Sequence, residues 1–96
     1  MKRFYFTFGS SDNMPFVGGW VEIFARDLKQ AVNIFKKMYP NNLNDEVLNC
    51  ADYYTEEQFL QSGMVKENLG KRCHAIILVN DFYNDIPKCF SVLSLE

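Results

Sequence analysis

Cysteine and histidine carry the first chemistry this sequence offers. Cys73 and His74 stand side by side, and with Cys50 and Cys89 the chain holds three thiols and one imidazole. That inventory suits a structural zinc, yet such sites draw on ligand pairs about two to four residues apart, and no such pair exists here. Neighbouring residues on a strand point to opposite faces, so Cys73 and His74 cannot jointly serve one ion or one nucleophile–base couple. A pairing of Cys50 with His74 is sterically open. A lone histidine without a polar constellation is a poor catalytic kit. The reading is therefore no catalytic residue, no metal and no cofactor. Whether Cys50, Cys73, His74 and Cys89 do more than pack stays open.

The densest acidic group is Asp52, Glu56 and Glu57, where a strand is expected to run into a helix. Paired carboxylates can move protons or bind a divalent ion. Simpler causes cover this group: Thr55 and Gln58 read as a capping box, and acidic residues favour the positive end of a helix dipole. Tyr53 and Tyr54 beside these carboxylates are more informative. Aromatic anchors next to charge on an exposed junction are typical of a protein-binding surface. Asp52, Tyr53, Tyr54, Glu56 and Glu57 are accordingly the candidate partner-binding residues.

Other motifs lead nowhere. Gly9, Gly18-Gly19, Gly63 and Gly70 lack both the spacing of a phosphate loop and a following Lys-Ser or Lys-Thr. Lys36, Lys37, Lys66, Lys71 and Arg72 read as solvated surface. Ten Lys and Arg stand against twelve Asp and Glu, a net charge of −2, so the basic excess of a nucleic-acid binder is missing. The charge is also too small to imitate a nucleic-acid backbone over the whole surface. Three cysteines, an odd number, point to reduced thiols rather than a disulfide framework. The segment after Met1-Lys2-Arg3 alternates too strictly for a signal peptide, and the longest apolar run, 75–79, is far below membrane-spanning length. These points predict a soluble intracellular protein.

The elements that must position these residues centre on 18–40. Residues 20–25 alternate as a strand, Asp27 is a good N-cap that Gln30, three residues on, can reach back to complete as a capping box, and Leu28, Ala31, Val32, Phe35, Met38 and Tyr39 recur at helical spacing, with Ile34 widening the stripe. Lys29, Asn33, Lys36 and Lys37 fall on the opposite face, and Pro40 stops the helix. Residues 3–8 form a strand whose Phe4, Phe6 and Phe8 must be buried, under the 28–39 helix. The long link 9–19 either binds something or tucks Met14, Phe16 and Val17 over the core; the second is favoured. Residues 47–54 read as a strand of mixed pattern, followed by a short helix that carries Phe59 and Leu60 inward and stops at Gly63. Residues 41–46 and 65–72 read as loops. Residues 73–79 are apolar on both faces and read as a central strand, and 89–95 read as a last edge strand after a turn-rich link, 80–88. The prediction is a single α+β domain over 1–96. It has a mostly antiparallel sheet of four to five strands, one main helix packed on a face and one short helix.

Phe4-Tyr5-Phe6-Thr7-Phe8-Gly9-Ser10, Gly19-Trp20-Val21-Glu22, Tyr53-Tyr54-Thr55-Glu56-Glu57-Gln58-Phe59 and Cys73-His74 together give the chain a likeness. It resembles short proteins carried by phages and mobile elements of Gram-positive bacteria. Some small phage proteins of this size and charge inhibit host defence, including anti-CRISPR proteins that block a Cas nuclease. The resemblance implies a class and carries over no catalytic residue. The first functional expectation is thus a non-enzymatic protein-binding module in the bacterial cytoplasm, a phage-type inhibitor of a defence nuclease. It would take a Cas-type protein partner and touch neither nucleic acid nor membrane directly. The alternative is a small-ligand or nucleotide-binding protein with Trp20, Tyr53 and Tyr54 as stacking platforms. An enzyme using Cys50 or His74 comes third.

Overall fold

Alternation along the first two strands decides how the sheet is covered. In the computed structural model, which describes residues 1–41, 47–66, 68–80 and 86–91, β1 (Lys2–Thr7) and β2 (Trp20–Ala25) pair antiparallel. Phe4, Phe6 and Phe8 share one buried face with Val21, Ile23 and Ala25. Helix α1 (Leu28–Met38) seats Ala31, Ile34 and Phe35 on that face, as the sequence pattern requires. Lys29, Asn33, Lys36 and Lys37 face solvent. The Asp27 carboxylate accepts the Gln30 N–H at 2.8 Å, while Gln30 Oε1 accepts from the Arg26 N–H, one residue before the cap, at 2.7 Å. Leu28, expected in the buried stripe, is exposed.

The other face carries Tyr5 and Trp20, which are covered by helix α2 (Glu56–Ser62) through Phe59. Tyr5 and Phe59 stack at 4.1 Å between centroids, 6° from parallel. Thr55 and Gln58 form the anticipated capping box, and Gly63 closes the helix in the left-handed conformation. Strand β3 (Asp52–Thr55) feeds this helix and pairs antiparallel with the free side of β1. It is shorter than the 47–54 strand predicted. Leu48 and Cys50 instead pack against the α1-side core, and Ala51 donates to the Thr7 carbonyl at 2.7 Å. With a mixed pattern, nothing in 47–51 fixes a ladder register.

Strand β4 (Cys73–Asn80) lies beside β2 and runs parallel to it, and β5 (Ile86–Ser91) pairs antiparallel along β4's outer side. Four strands in the order β3-β1-β2-β4 thus make a mixed sheet, with β5 extending it. This corrects the expectation of a mostly antiparallel sheet. Period-two alternation tells which face a side chain takes and is blind to the direction of the neighbouring strand. The parallel neighbour is possible because α1, β3 and α2 intervene between β2 and β4 and supply the crossover. β4 has neighbours on both sides, but Ile76 is half-buried and Leu78 exposed, so its second face is only partly covered. β5 starts earlier than predicted and includes Pro87, which an edge position tolerates because no ladder N–H is needed there. The predicted loop at 42–46, the 81–85 part of the 80–88 link and the end of the last strand at 92–95 lie outside the described residues.

Candidate functional site

The groups that could do chemistry are absorbed by packing. Cys50 sits against the α1-side core, and Cys73 packs with the Tyr5–Trp20–Phe59 cluster on the opposite face. Burial pushes both thiols up to about 12, with Asp52 adding to the shift at Cys50 and Glu22 at Cys73. Neither is a thiolate near neutral pH, and the thiolate is the nucleophile. His74 points to the α1 side, away from Cys73. Its ring stacks on Phe16 at 3.9 Å and 6°, and its Nε2 lies 2.8 Å from the Gly18 carbonyl oxygen. A carbonyl oxygen can only accept, so the hydrogen of this bond is carried by Nε2. His74 thereby pins the 9–19 link, whose Met14 and Phe16 pack on the core while Val17 is exposed. Gly19, at φ +72°, passes so close that a Cβ would collide with the His74 ring and the Arg72 carbonyl. The side chain of Cys89 lies outside the described residues. Among the described residues, no three of His, Cys, Asp and Glu stand together as a metal site.

The β3–α2 junction holds the five residues singled out by sequence and separates them by face. Tyr53 pairs across from Phe6, its ring edge-on to Phe6 at 6.2 Å, on the α1 side. Tyr54 pairs across from Tyr5 and leans on Phe59 at 6.1 Å, on the α2 side. Tyr53 is 39% exposed, and Asp52, Glu56 and Glu57 are exposed as well. Asp52 Oδ1 accepts the Tyr53 N–H at 2.8 Å. Burial, then the Asp52 charge and a hydrogen bond with Asp52, hold the Tyr54 hydroxyl above its ordinary titration range.

Two adjoining shallow recesses open along this edge. One, of about 470 Å³, is lined by Asp52, Tyr53, Tyr54, Gln58, Gln61 and Ser62. The other, of about 370 Å³, shares the first four and adds Leu28 and Thr55. Leu28, Gln58, Gln61 and Ser62 were not singled out from the sequence for binding. Gln58 was legible only as a helix cap, and no local pattern marks the others. Glu56 belongs elsewhere: its carboxylate meets Arg3 Nη1 at 3.4 Å. Arg3 also approaches Glu22 at 3.5 Å and lies over the Phe24 ring at 4.5 Å, so Glu56 is drawn toward a network on the sheet face and away from the recesses.

No known protein family, curated protein or solved structure matches this chain. Its reading therefore rests on its own geometry. That geometry removes Trp20 from the candidate stacking platforms. The indole is only 3% exposed, packed under Phe59 with Nε1 donating to Glu22 at 3.0 Å. Tyr53 and Tyr54 stand on opposite faces of β3, so they cannot sandwich one planar base as neighbouring walls of a slot. No helix among the described residues is long and apolar enough to cross a membrane.

Proposed function

We propose that the protein is a non-enzymatic binding module that acts in the bacterial cytoplasm as a phage-type, anti-CRISPR-like inhibitor of a defence nuclease. Its docking surface is the β3–α2 junction. One observation carries the proposal: Asp52 and Tyr53 are exposed at a sheet edge, with Glu57 exposed in the first turn of the helix that follows, and no lysine or arginine among the described residues lines the recesses there. Aromatic anchors with carboxylates suit the basic groove that a nuclease offers its nucleic acid. The buried, protonated thiols and the structural engagement of His74 support a role without catalysis. The partner is a Cas-type protein, and direct contact with nucleic acid or membrane forms no part of the role.

The test is a titration of DNA cleavage by a guide-loaded Cas-type nuclease, at low and physiological salt. Tyr53→Ala with Glu57→Lys is preferred over a change at Tyr54, whose ring supports Phe59. The wild type should inhibit, the folded double variant should lose about tenfold or more, and inhibition should weaken as salt screens the charges. Absence of inhibition by the wild type, or equal inhibition by a double variant with an unchanged circular dichroism spectrum, would reject the proposal.

A further inference from the structure

The backbone of β3 shows how a partner can and cannot use this edge. A free strand edge normally invites a partner to add a strand through main-chain hydrogen bonds. Successive amides of a strand alternate between its two sides, so the N–H groups of Tyr53 and Thr55 share one side. Both are already engaged. The Tyr53 N–H donates to Asp52 Oδ1 at 2.8 Å, and the Thr55 N–H donates to Gln58 Oε1 at 3.0 Å. A strand docking here would have to break both bonds along an element of only four residues. Recognition at this edge must therefore go through side chains.

The side chains around the recesses favour one kind of visitor. Among the described residues, Asp52 is the only charged one lining either recess, and it is exposed. Its Oδ1 accepts the Tyr53 N–H, the Tyr54 hydroxyl also bonds the carboxylate, and the exposed group keeps lone pairs for a further donor. Tyr53 and Tyr54 bring aromatic rings, and the Gln61 carbonyl is a further acceptor. A carboxylate with the Tyr54 ring on its own strand face and amide oxygens nearby matches the planar guanidinium, which hydrogen-bonds carboxylates and stacks on a ring. An ammonium is a more strongly hydrated point charge and gains less from the ring faces.

We infer that the recess formed by Asp52, Tyr53, Tyr54 and Gln61 is a binding site for an arginine side chain presented by the protein partner, and that the capped edge of β3 excludes strand addition as the mode of docking. This rests on the proposed docking function of the junction and specifies what the junction grips.

The experiment uses the whole chain and capped amino acids as probes. N-acetyl-arginine amide, N-acetyl-citrulline amide and N-acetyl-lysine amide are titrated into isotopically labelled protein, and amide chemical shifts are followed. Citrulline keeps the shape of arginine and lacks its charge. The arginine probe should move the amides of Asp52, Tyr53, Tyr54 and Gln61 with a dissociation constant on the order of millimolar, and the other two probes should bind about tenfold more weakly. Asp52→Asn keeps an oxygen for the Tyr53 N–H and should abolish the arginine preference while the spectrum stays that of a folded protein. Shifts scattered over the surface, binding of the citrulline or the lysine probe as tight as that of the arginine probe, or an unchanged preference in Asp52→Asn would overturn the inference. No nuclease enters this experiment, so the two proposals fail separately. Lost inhibition in Tyr53→Ala with Glu57→Lys but no arginine preference rejects the recess alone. Arginine preference with unaltered inhibition supports the recess and rejects the nuclease reading.

Discussion

Phe35 shows how much of this structure hangs on single rings. It is fully buried, stacks on Phe6 at 4.4 Å, and touches Phe8 and Tyr39 at 6.2 and 5.2 Å between centroids. Truncation leaves a cavity between α1 and the sheet, where neither side can collapse without moving the other. Phe35→Ala should cost about 3–5 kcal/mol, read as a fall in the denaturant midpoint at constant slope. An unchanged midpoint would mean that α1 is not seated on β1 and β2. His74 shows the opposite lesson at the same scale. Its adjacency to Cys73 looks like chemistry in the sequence, yet the strand sends the two to opposite faces, and the imidazole is spent on Phe16 and the Gly18 carbonyl.

Among the elements, α2 depends most on its ends. Seven residues cannot sustain a helix alone, because nucleation costs more than so few hydrogen bonds return. Phe59, buried against Tyr5 and Trp20, supplies the tertiary anchor. The Thr55–Gln58 capping box supplies the start, with the Gln58 N–H donating to Thr55 Oγ1 at 3.3 Å. Thr55→Ala should lower stability by about 0.5–2 kcal/mol and speed hydrogen exchange at the first amides of α2 before those of α1. Equal protection in variant and wild type would show that Phe59 alone holds the helix. The cap has a second consequence, because Gln58 satisfies the outward N–H of Thr55 and so helps close the β3 edge.

For the whole molecule, the buried thiols make stability fall in alkali. Cys50 and Cys73 are raised from an ordinary value of 9.0 to about 12, so above the unfolded value the unfolded chain loses protons that the folded chain keeps. The unfolded state then binds fewer protons, and stability decreases as pH rises. The contribution is complete below about pH 9 and is lost progressively between 9 and about 12. Denaturant midpoints should therefore drop between about pH 8 and pH 10.5, and Cys50→Ala with Cys73→Ala should flatten that slope. An unaltered slope would mean that both thiols ionise as freely in the folded protein as in the unfolded one.

Caps and faces were legible from the sequence because they depend on residues within a turn or two of each other. Asp27 and Thr55 start their helices, Gly63 ends one, Phe4, Phe6 and Phe8 are buried under α1, and four polar residues mark that helix's wet side. All of these follow from spacing alone. The tertiary structure decided what depends on partners far along the chain. It set β4 parallel to β2, and it buried Trp20 beneath a phenylalanine 39 positions away. It also drew Glu56 toward Arg3 and placed Leu28 and Gln61 beside the tyrosines of β3. A strand's alternation is the same whichever way its neighbour runs, and a carboxylate's spacing is the same whether or not a guanidinium waits across the sheet. Only the packed chain distinguishes them, because the energies that choose between them arise from contacts that no short stretch contains.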